Sequence, residues 1–169
     1  TLTAVHLYEV GADGRVLLGQ ELRRRELWGP PAGAVEDRDL SWMDNSTPIR
    51  LAADGRTLAF SEQGEGGGAD SGVYLGSMDG SVPVRIGTGS AIDLSADGKW
   101  VLTIEHYGTP SQRLVLQPTG AGQPRELPTE PLTYVSGWFS QNGQTIIFTA
   151  MKPGEAPQIY VQDVGGGRP

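Results

Sequence analysis

Short runs of consecutive apolar residues recur along this chain, and each run follows a turn that contains glycine. An Asp-Gly or Asn-Gly pair between apolar runs is the strongest short-range signal for a β-hairpin, because glycine accepts a positive φ. A strand with one solvent-exposed face would alternate apolar and polar residues, whereas consecutive apolar positions indicate that both faces of the strand are buried. The pattern therefore predicts hairpins in sheets that stack on one another. The four turns are Asp13-Gly14, Asp54-Gly55, Asp97-Gly98 and Asn142-Gly143.

The four turns mark a repeat. Their glycines are 41, 43 and 45 residues apart, and a period of about 40 to 45 residues is that of one four-stranded propeller blade. We therefore predict an all-β protein, a β-propeller of about four blades in which each blade is a four-stranded antiparallel sheet of 41–45 residues. The whole chain, residues 1–169, is expected to form this one partial propeller domain, with blades at residues 5–42, 47–88, 90–132 and 135–169.

The ends of the chain bear on whether the ring closes. The fourth repeat ends soon after the strand predicted at residues 159–163, so it lacks an outermost strand. Residues 1–4 could supply that strand and close a four-bladed ring, or two copies could complete an eight-bladed ring through their open edges. Residues 20–27, QELRRREL, have a helix-forming composition, but eight residues make a marginal helix and we predict strand and turn.

Composition and charge limit the classes of partner that the chain is expected to bind. Glycine contributes 25 and proline 12 of the 169 residues, yet the regular apolar runs argue against disorder. The net charge of −7 argues against nucleic-acid binding. Without cysteine the chain has neither disulfides nor thiolate metal ligands, and no apolar stretch is long enough to predict membrane insertion. Because the chain does not begin with Met, we expect it to be part of a longer protein.

No motif for catalysis or for cofactor binding is evident. The two histidines, His6 and His106, lie in different repeats with no carboxylates at metal-ligand spacing. The glycine-rich run at 64–68 follows a predicted strand, but the helix that phosphate binding requires is missing. No Gly-x-Ser-x-Gly elbow occurs. We therefore expect no metal, no cofactor and no enzymatic activity.

One constellation emerges when the repeats are aligned as columns. Equivalent positions on the innermost strands of a propeller form a ring near the central channel. The column five residues before each anchoring glycine then predicts an acid–base–acid arc in successive blades. Two interpretations stay open: a charge network that holds the blades together, or a patch at the channel mouth that binds a ligand or peptide. The column contains Glu9, Arg50, Asp93 and Trp138.

The repeat also resembles a known family. The unit Leu-Ser-Ala-Asp-Gly-Lys at 94–99 before an apolar strand, and Ile-Tyr-Val-x-Asp at 159–163 before Gly-Gly-x-Pro, resemble the TolB-like, WD-type β-propeller repeat. Three further segments resemble the propeller C-terminal to bacterial serine/threonine protein kinases: EDRDLSW at 36–42, EQGEGGG at 62–68 and LQPTGAG at 116–122. The full family propeller has more than four blades, so this chain departs from the family by truncation.

The resemblance implies a noncatalytic sensor or interaction propeller that binds protein or peptide. In those kinases it follows a kinase domain and usually a membrane span, which favours an extracytoplasmic, periplasmic location. The kinase's own motifs are not found in this chain. Two alternatives remain: the substrate-gating propeller of a prolyl-oligopeptidase-type peptidase, which uses similar repeats, and a self-assembling propeller fragment.

Overall fold

A computed structural model describes residues 2–22, 24–31, 33–127 and 132–169. Within these ranges the regular structure is entirely β-strand, so they contain no helix that could span a membrane. The strands, in chain order, are β1 (Leu2–Val10), β2 (Val16–Leu22), β3 (Trp28–Gly29), β4 (Arg38–Asp39), β5 (Ser46–Leu51), β6 (Thr57–Glu62), β7 (Gly72–Ser77), β8 (Val84–Thr88), β9 (Ser90–Leu94), β10 (Trp100–Glu105), β11 (Arg113–Pro118), β12 (Arg125–Glu126), β13 (Thr133–Phe139), β14 (Thr145–Met151) and β15 (Gln158–Asp163).

The middle of the chain forms two complete blades. Strands β5 to β8 make one four-stranded sheet, blade 2, and strands β9 to β12 make the next, blade 3. Strands β13 to β15 make a three-stranded sheet, blade 4, and each strand in these sheets is antiparallel to its neighbours. The prediction of an all-β chain with four-stranded antiparallel sheets is confirmed. As predicted, no fourth strand follows β15 among the described residues.

The Asp-Gly turns form as the sequence predicts. Gly55 has a φ of +64°, and the other three anchoring glycines are also in the left-handed region. In the same turn, the N–H groups of Arg56 and Thr57 donate to Asp54 Oδ1 at 2.8 and 2.9 Å. The Thr57 hydroxyl donates to the other oxygen of the same carboxylate at 2.7 Å. The aspartate therefore fixes the turn while glycine supplies the backbone conformation.

The first of the four turns is one residue shorter than the other three. The N–H of Gly11 donates to the carbonyl of Arg15, four residues on, whereas the N–H of Ala52 reaches the carbonyl of Thr57, five residues on. Glu9 therefore lies opposite Leu17, three residues after its glycine, while Arg50 lies opposite Ala59, four residues after its own. The side chains of β2 are thus displaced by one position relative to the repeat.

The first repeat does not form a single four-stranded sheet. Strands β1 and β2 pair with each other to form the first hairpin, and β3 pairs with β4, but β2 does not pair with β3. Between the two pairs, Arg25 bridges instead to Asn45 at the start of blade 2. The connecting run RRRE at 23–26 contains no apolar side chain whose burial could stabilise a strand at this position. The first apolar residue after it, Leu27, is buried with Leu40 on the face of blade 2.

Residues 2–4 and 20–22 both lie in the first hairpin. Residues 2–4 belong to β1, and Leu2 and Ala4 pair with Leu22 and Glu21 of β2. The hypothesis that residues 1–4 supply the missing outer strand of blade 4 is therefore wrong for this segment; Thr1 lies outside the described residues. The preference of β1 for β2 has a simple cause, since a hairpin closes more readily than a contact between chain ends. Residues 20–22 extend β2, and the described part of 20–27 contains no helix.

Apolar side chains fill the spaces between blades. Blade 2 contributes Ala59 and Val73 to a cluster with Leu94 and Val101 of blade 3. On the other face of blade 3, a larger cluster joins that blade to blade 4 and contains Leu102, Ile104, Leu114, Leu116, Tyr134, Phe139, Ile146 and Phe148. Both faces of blade 3 are therefore buried, which explains why its strands are apolar at consecutive positions.

Acid is expected to weaken the turns. The N–H of Thr57 is the main cause of the lowered pKa of Asp54, and the hydroxyl of Ser95 is the main cause of the lowered pKa of Asp97. A carboxyl whose pKa is lower when folded stabilises the fold above its unfolded pKa, near 3.8 here, and loses this contribution as the pH falls through the folded pKa. The free energy of unfolding should therefore decrease below about pH 4.

Urea titrations between pH 7 and pH 3 would measure this decrease. The double variant Asp54→Asn, Asp97→Asn should show a smaller loss with acid, because an amide keeps the turn acceptor and does not titrate. The fourth repeat already uses this solution, since Asn142 Oδ1 accepts the N–H of Gln144 at 3.0 Å. An equal pH dependence in the natural protein and the double variant would contradict the role of these carboxylates.

Candidate functional site

Two members of the predicted column meet between blades 2 and 3. Arg50 lies on β5 and Asp93 on β9, and the Arg50 Nε is 2.5 Å from Asp93 Oδ1. The second carboxylate oxygen, Asp93 Oδ2, accepts the backbone N–H of Phe139 in blade 4 at 2.7 Å. One carboxylate therefore joins three successive blades.

A β-bulge positions this pair. In blade 2 the register between β5 and β6 shifts between Pro48 and Arg50, and in blade 3 the register between β9 and β10 shifts on the N-terminal side of Asp93. A bulge re-aims the side chains beside it and is common next to functional sites. The first hairpin also has a register shift, just before Glu9. In blade 4 the shift falls earlier, between Tyr134 and Ser136, so the fourth repeat departs from the pattern.

The burial of the two partners is unequal. Asp93 is only 3% exposed, so its charge has little contact with water and depends on the Arg50 guanidinium and the Phe139 N–H. The Arg50 side chain is about half exposed and borders a cavity of about 370 Å³. Among the described residues, Asp93 is the one hydrogen-bond partner of the Arg50 side chain. Arg50 therefore presents unused hydrogen-bond donors to this cavity, which is also lined by Asp93, Leu94, Ala96, Phe139, Ser140 and Gln141.

The other two members of the column lie elsewhere. Glu9 borders a separate cleft on the first hairpin, and no ion pair joins it to Arg50 among the described residues. Trp138 is opposite Ile147 on the face of blade 4 that points away from blade 3, and it borders a neighbouring cavity. The structure thus brings together Arg50 and Asp93, with a backbone N–H as the third component, and the binding role of all four residues stays a prediction.

A second column, which the sequence interpretation missed, contains two buried glutamates, Glu62 and Glu105, and the half-buried Glu21. Glutamate stands seven residues after the anchoring glycine in three repeats, at Glu21, Glu62 and Glu105. The fully buried Glu62 accepts the Ser46 hydroxyl at 2.7 Å and the N–H groups of Asn45 and Gly64 at 3.1 and 2.7 Å. It therefore ties the start of blade 2 to the β6–β7 loop. The recurrence of glutamate seven residues after the anchoring glycine is the sequence signal from which this network could have been predicted.

Glu105 holds an equivalent network in blade 3. Its carboxylate is 2.7 Å from Arg113 Nη2, and the Thr88 hydroxyl and the Gln117 amide donate to it at 3.1 and 3.2 Å. The carboxylate of Glu105 raises the pKa of Arg113, first through this hydrogen bond and then through its charge. The network fixes the end of β10 against the β8–β9 turn.

The next residue, His106, connects two blades. Its Nδ1 lies 2.8 Å from Asp70 Oδ2 in the β6–β7 loop of blade 2. His106 and Ser71 are the two non-glycine residues with positive φ among those described, at 52° and 67°. Both strained positions therefore belong to one contact between loops. Within the described part of the chain, no group of three or more histidine and acidic side chains is arranged to hold a metal ion.

Comparisons with known proteins place the fold. No family model and no curated protein matches the sequence. Among solved structures, TolB from Acinetobacter baumannii superposes with a TM-score of 0.65 at 18% identity, over 85% of this chain and 36% of its own. A putative TolB from Agrobacterium tumefaciens gives 0.69 at 20% identity, over 91% of this chain and 56% of its own.

A third similar structure is one of two prolyl endopeptidases studied for inter-domain dynamics in catalysis and specificity. It superposes with a TM-score of 0.61 at 11% identity, over 97% of this chain and 28% of its own. At these identities the likeness concerns the fold, which is that of a partial β-propeller. The chain spans about a third to just over half of the TolB chains it resembles.

Removing the arginine should destabilise the protein. In Arg50→Met, the buried Asp93 keeps only the Phe139 N–H, and loss of a charged hydrogen-bond partner costs about 1–3 kcal/mol. Lys99→Met is the matched control, because Lys99 pairs with Asp97 at 3.3 Å on the surface and such pairs contribute about 0–1 kcal/mol. Urea unfolding measures both variants. Equal, small losses would show that the Arg50 pair does not hold the blades together.

Proposed function

We propose that this chain is a noncatalytic propeller module that binds a protein or peptide. The observation that carries the proposal is the half-exposed Arg50, whose Nη donors face a cavity between blades. Both oxygens of its neighbour Asp93 are engaged, one by Arg50 and one by the Phe139 N–H, so this carboxylate is suited to holding the arginine in place rather than to proton transfer.

The chemistry of the cavity suggests the kind of ligand. A guanidinium whose Nε is fixed offers its remaining N–H groups in a rigid geometry, which suits a carbonyl or carboxylate oxygen. The Ser140 and Gln141 positions that border the same cavity add polar groups, and Leu94 and Phe139 add apolar surface. An extended peptide that places an acceptor oxygen on Arg50 fits this combination.

The proposal also concerns the longer protein to which this propeller belongs. The sequence resemblance described above favours a parent protein in which the propeller follows a bacterial serine/threonine kinase, on the extracytoplasmic side of a membrane. Likeness to TolB structures supports the TolB-like propeller class as the setting for this module. The second candidate is the substrate-gating propeller of a prolyl-oligopeptidase-type peptidase, favoured by the likeness to a prolyl endopeptidase.

The reading frame that encodes this chain distinguishes the two parents. We expect kinase motifs upstream, namely a glycine-rich loop, a strand lysine and a His-Arg-Asp run. An α/β-hydrolase with a serine elbow downstream would instead support the peptidase and would reject the receptor-like kinase. Sequencing the complete frame is sufficient for this test.

Peptide binding at the cavity can be tested with a matched pair of variants. Ala96 is an exposed turn residue that lines the cavity, and Ala53 is its equivalent in blade 2, outside it. Peptides selected from a random phage-displayed library against the chain should bind Ala96→Tyr at least about tenfold more weakly, which corresponds to about 1.4 kcal/mol. They should bind Ala53→Tyr like the natural protein. Isothermal titration calorimetry measures both, and equal affinity for the two variants would reject the cavity as the site.

A further inference from the structure

One turn residue at the cavity beside Arg50 departs from the repeat. Two positions before the anchoring glycine, three repeats have alanine, at Ala12, Ala53 and Ala96, whereas the fourth has Gln141. Gln141 is exposed and lines the cavity, and its side chain makes no hydrogen bond with another described residue. The fourth repeat therefore adds an uncommitted amide group to the cavity.

The charges that border this cavity cancel. Arg50 and Asp93 are the two charged residues among its described lining residues, and they form an ion pair. A ligand carboxylate would leave one negative charge uncompensated near Asp93, which is buried and has little contact with water. The net charge of −7 on the chain adds to this repulsion. The electrostatics therefore favour a ligand group without a formal charge.

The hydrogen-bonding groups of the cavity complement a main-chain amide. The Arg50 guanidinium offers donors and no acceptor, whereas the Gln141 amide offers an acceptor oxygen as well as donors. A main-chain amide carries one C=O and one N–H group, so it can accept from Arg50 and donate to Gln141 Oε1. A carboxylate carries acceptors alone and would leave the Gln141 oxygen without a donor.

We infer that the cavity binds an uncharged main-chain amide of the peptide and that Gln141 determines this specificity. The peptide C=O accepts from the Arg50 guanidinium, and the peptide N–H donates to Gln141 Oε1. This inference rests on the proposed function and specifies the chemical group that the ligand presents. It selects an internal stretch of a peptide over the carboxylate of a C-terminus or of an acidic side chain.

Chemical changes in the peptides test the absence of charge. The probes are the library-selected peptides that bind the natural chain at least about tenfold more tightly than they bind Ala96→Tyr. Each is synthesised again with a C-terminal amide and with every Asp and Glu replaced by Asn and Gln. For most of them, isothermal titration calorimetry should give a dissociation constant within about threefold of the original. A loss of about tenfold or more in most of them would overturn the inference, since it would identify the bound group as a carboxylate.

Variants of Gln141 test the role assigned to its side chain. Gln141→Ala and Gln141→Lys both remove the acceptor for the peptide N–H, so the uncharged peptides should bind each about three- to tenfold more weakly. Ala53→Lys is the matched control and should bind like the natural chain, because Ala53 holds the equivalent position of blade 2, outside the cavity. Circular dichroism shows whether each variant keeps its strands.

Two outcomes with these variants would contradict the inference. Tighter binding of the original peptides to Gln141→Lys than to the natural chain would indicate a carboxylate in the cavity. Unchanged binding to both Gln141→Ala and Gln141→Lys would show that the Gln141 side chain does not contact the peptide.

The turn variants separate failure of this inference from failure of the proposed function. Equal binding of the selected peptides to Ala96→Tyr and Ala53→Tyr would show that the cavity is not the site, and it would reject both proposals. Weaker binding to Ala96→Tyr together with tighter binding to Gln141→Lys would keep the cavity as the peptide site and reject the main-chain amide alone.

Discussion

A β-sheet that is apolar on both faces is stable in water only when each face lies against another sheet. Blade 3 satisfies this constraint completely, with Ala91 and Val101 buried toward blade 2 and Leu102 and Leu116 buried toward blade 4. Burying one such side chain contributes about 1.5–3 kcal/mol, so these contacts are the main source of stability. The ion pair of Arg50 with Asp93 can form where it does because the apolar rows first bring the two inner strands together.

The hairpins were predictable from the sequence because their signals are local. An Asp-Gly pair fixes a turn through the backbone of two or three residues, and the apolar run that follows it has to be covered on both sides. The division of the first repeat was not predictable in this way. It depends on Arg25 bridging to Asn45, and on a first turn shorter by one residue, neither of which changes the apparent period of the repeat.

The candidate site was predictable only in part. Alignment of the repeats placed Arg50 and Asp93 in one column, and the structure joins them. Glu9 stands in the same column, but its hairpin does not pack beside blade 2, so the arc of three charges does not form. The Phe139 N–H could not be foreseen, because a backbone donor leaves no mark in the sequence. Glu62 and Glu105, in contrast, were detectable from the sequence, because each stands seven residues after the anchoring glycine of its repeat.

The position of Asp93 between two blades affects the cooperativity with which the protein unfolds. Arrays of repeats often melt from one end, since each unit is stabilised by its nearest neighbours alone. Here the Asp93 carboxylate in blade 3 accepts hydrogen bonds from residues of blades 2 and 4. Local unfolding of blade 4 therefore removes one hydrogen-bond donor from this buried charge. That coupling makes blades 2 to 4 one cooperative unit. The described residues show no comparable link between these blades and the first hairpin, so we expect the hairpin to open and exchange its amide protons independently.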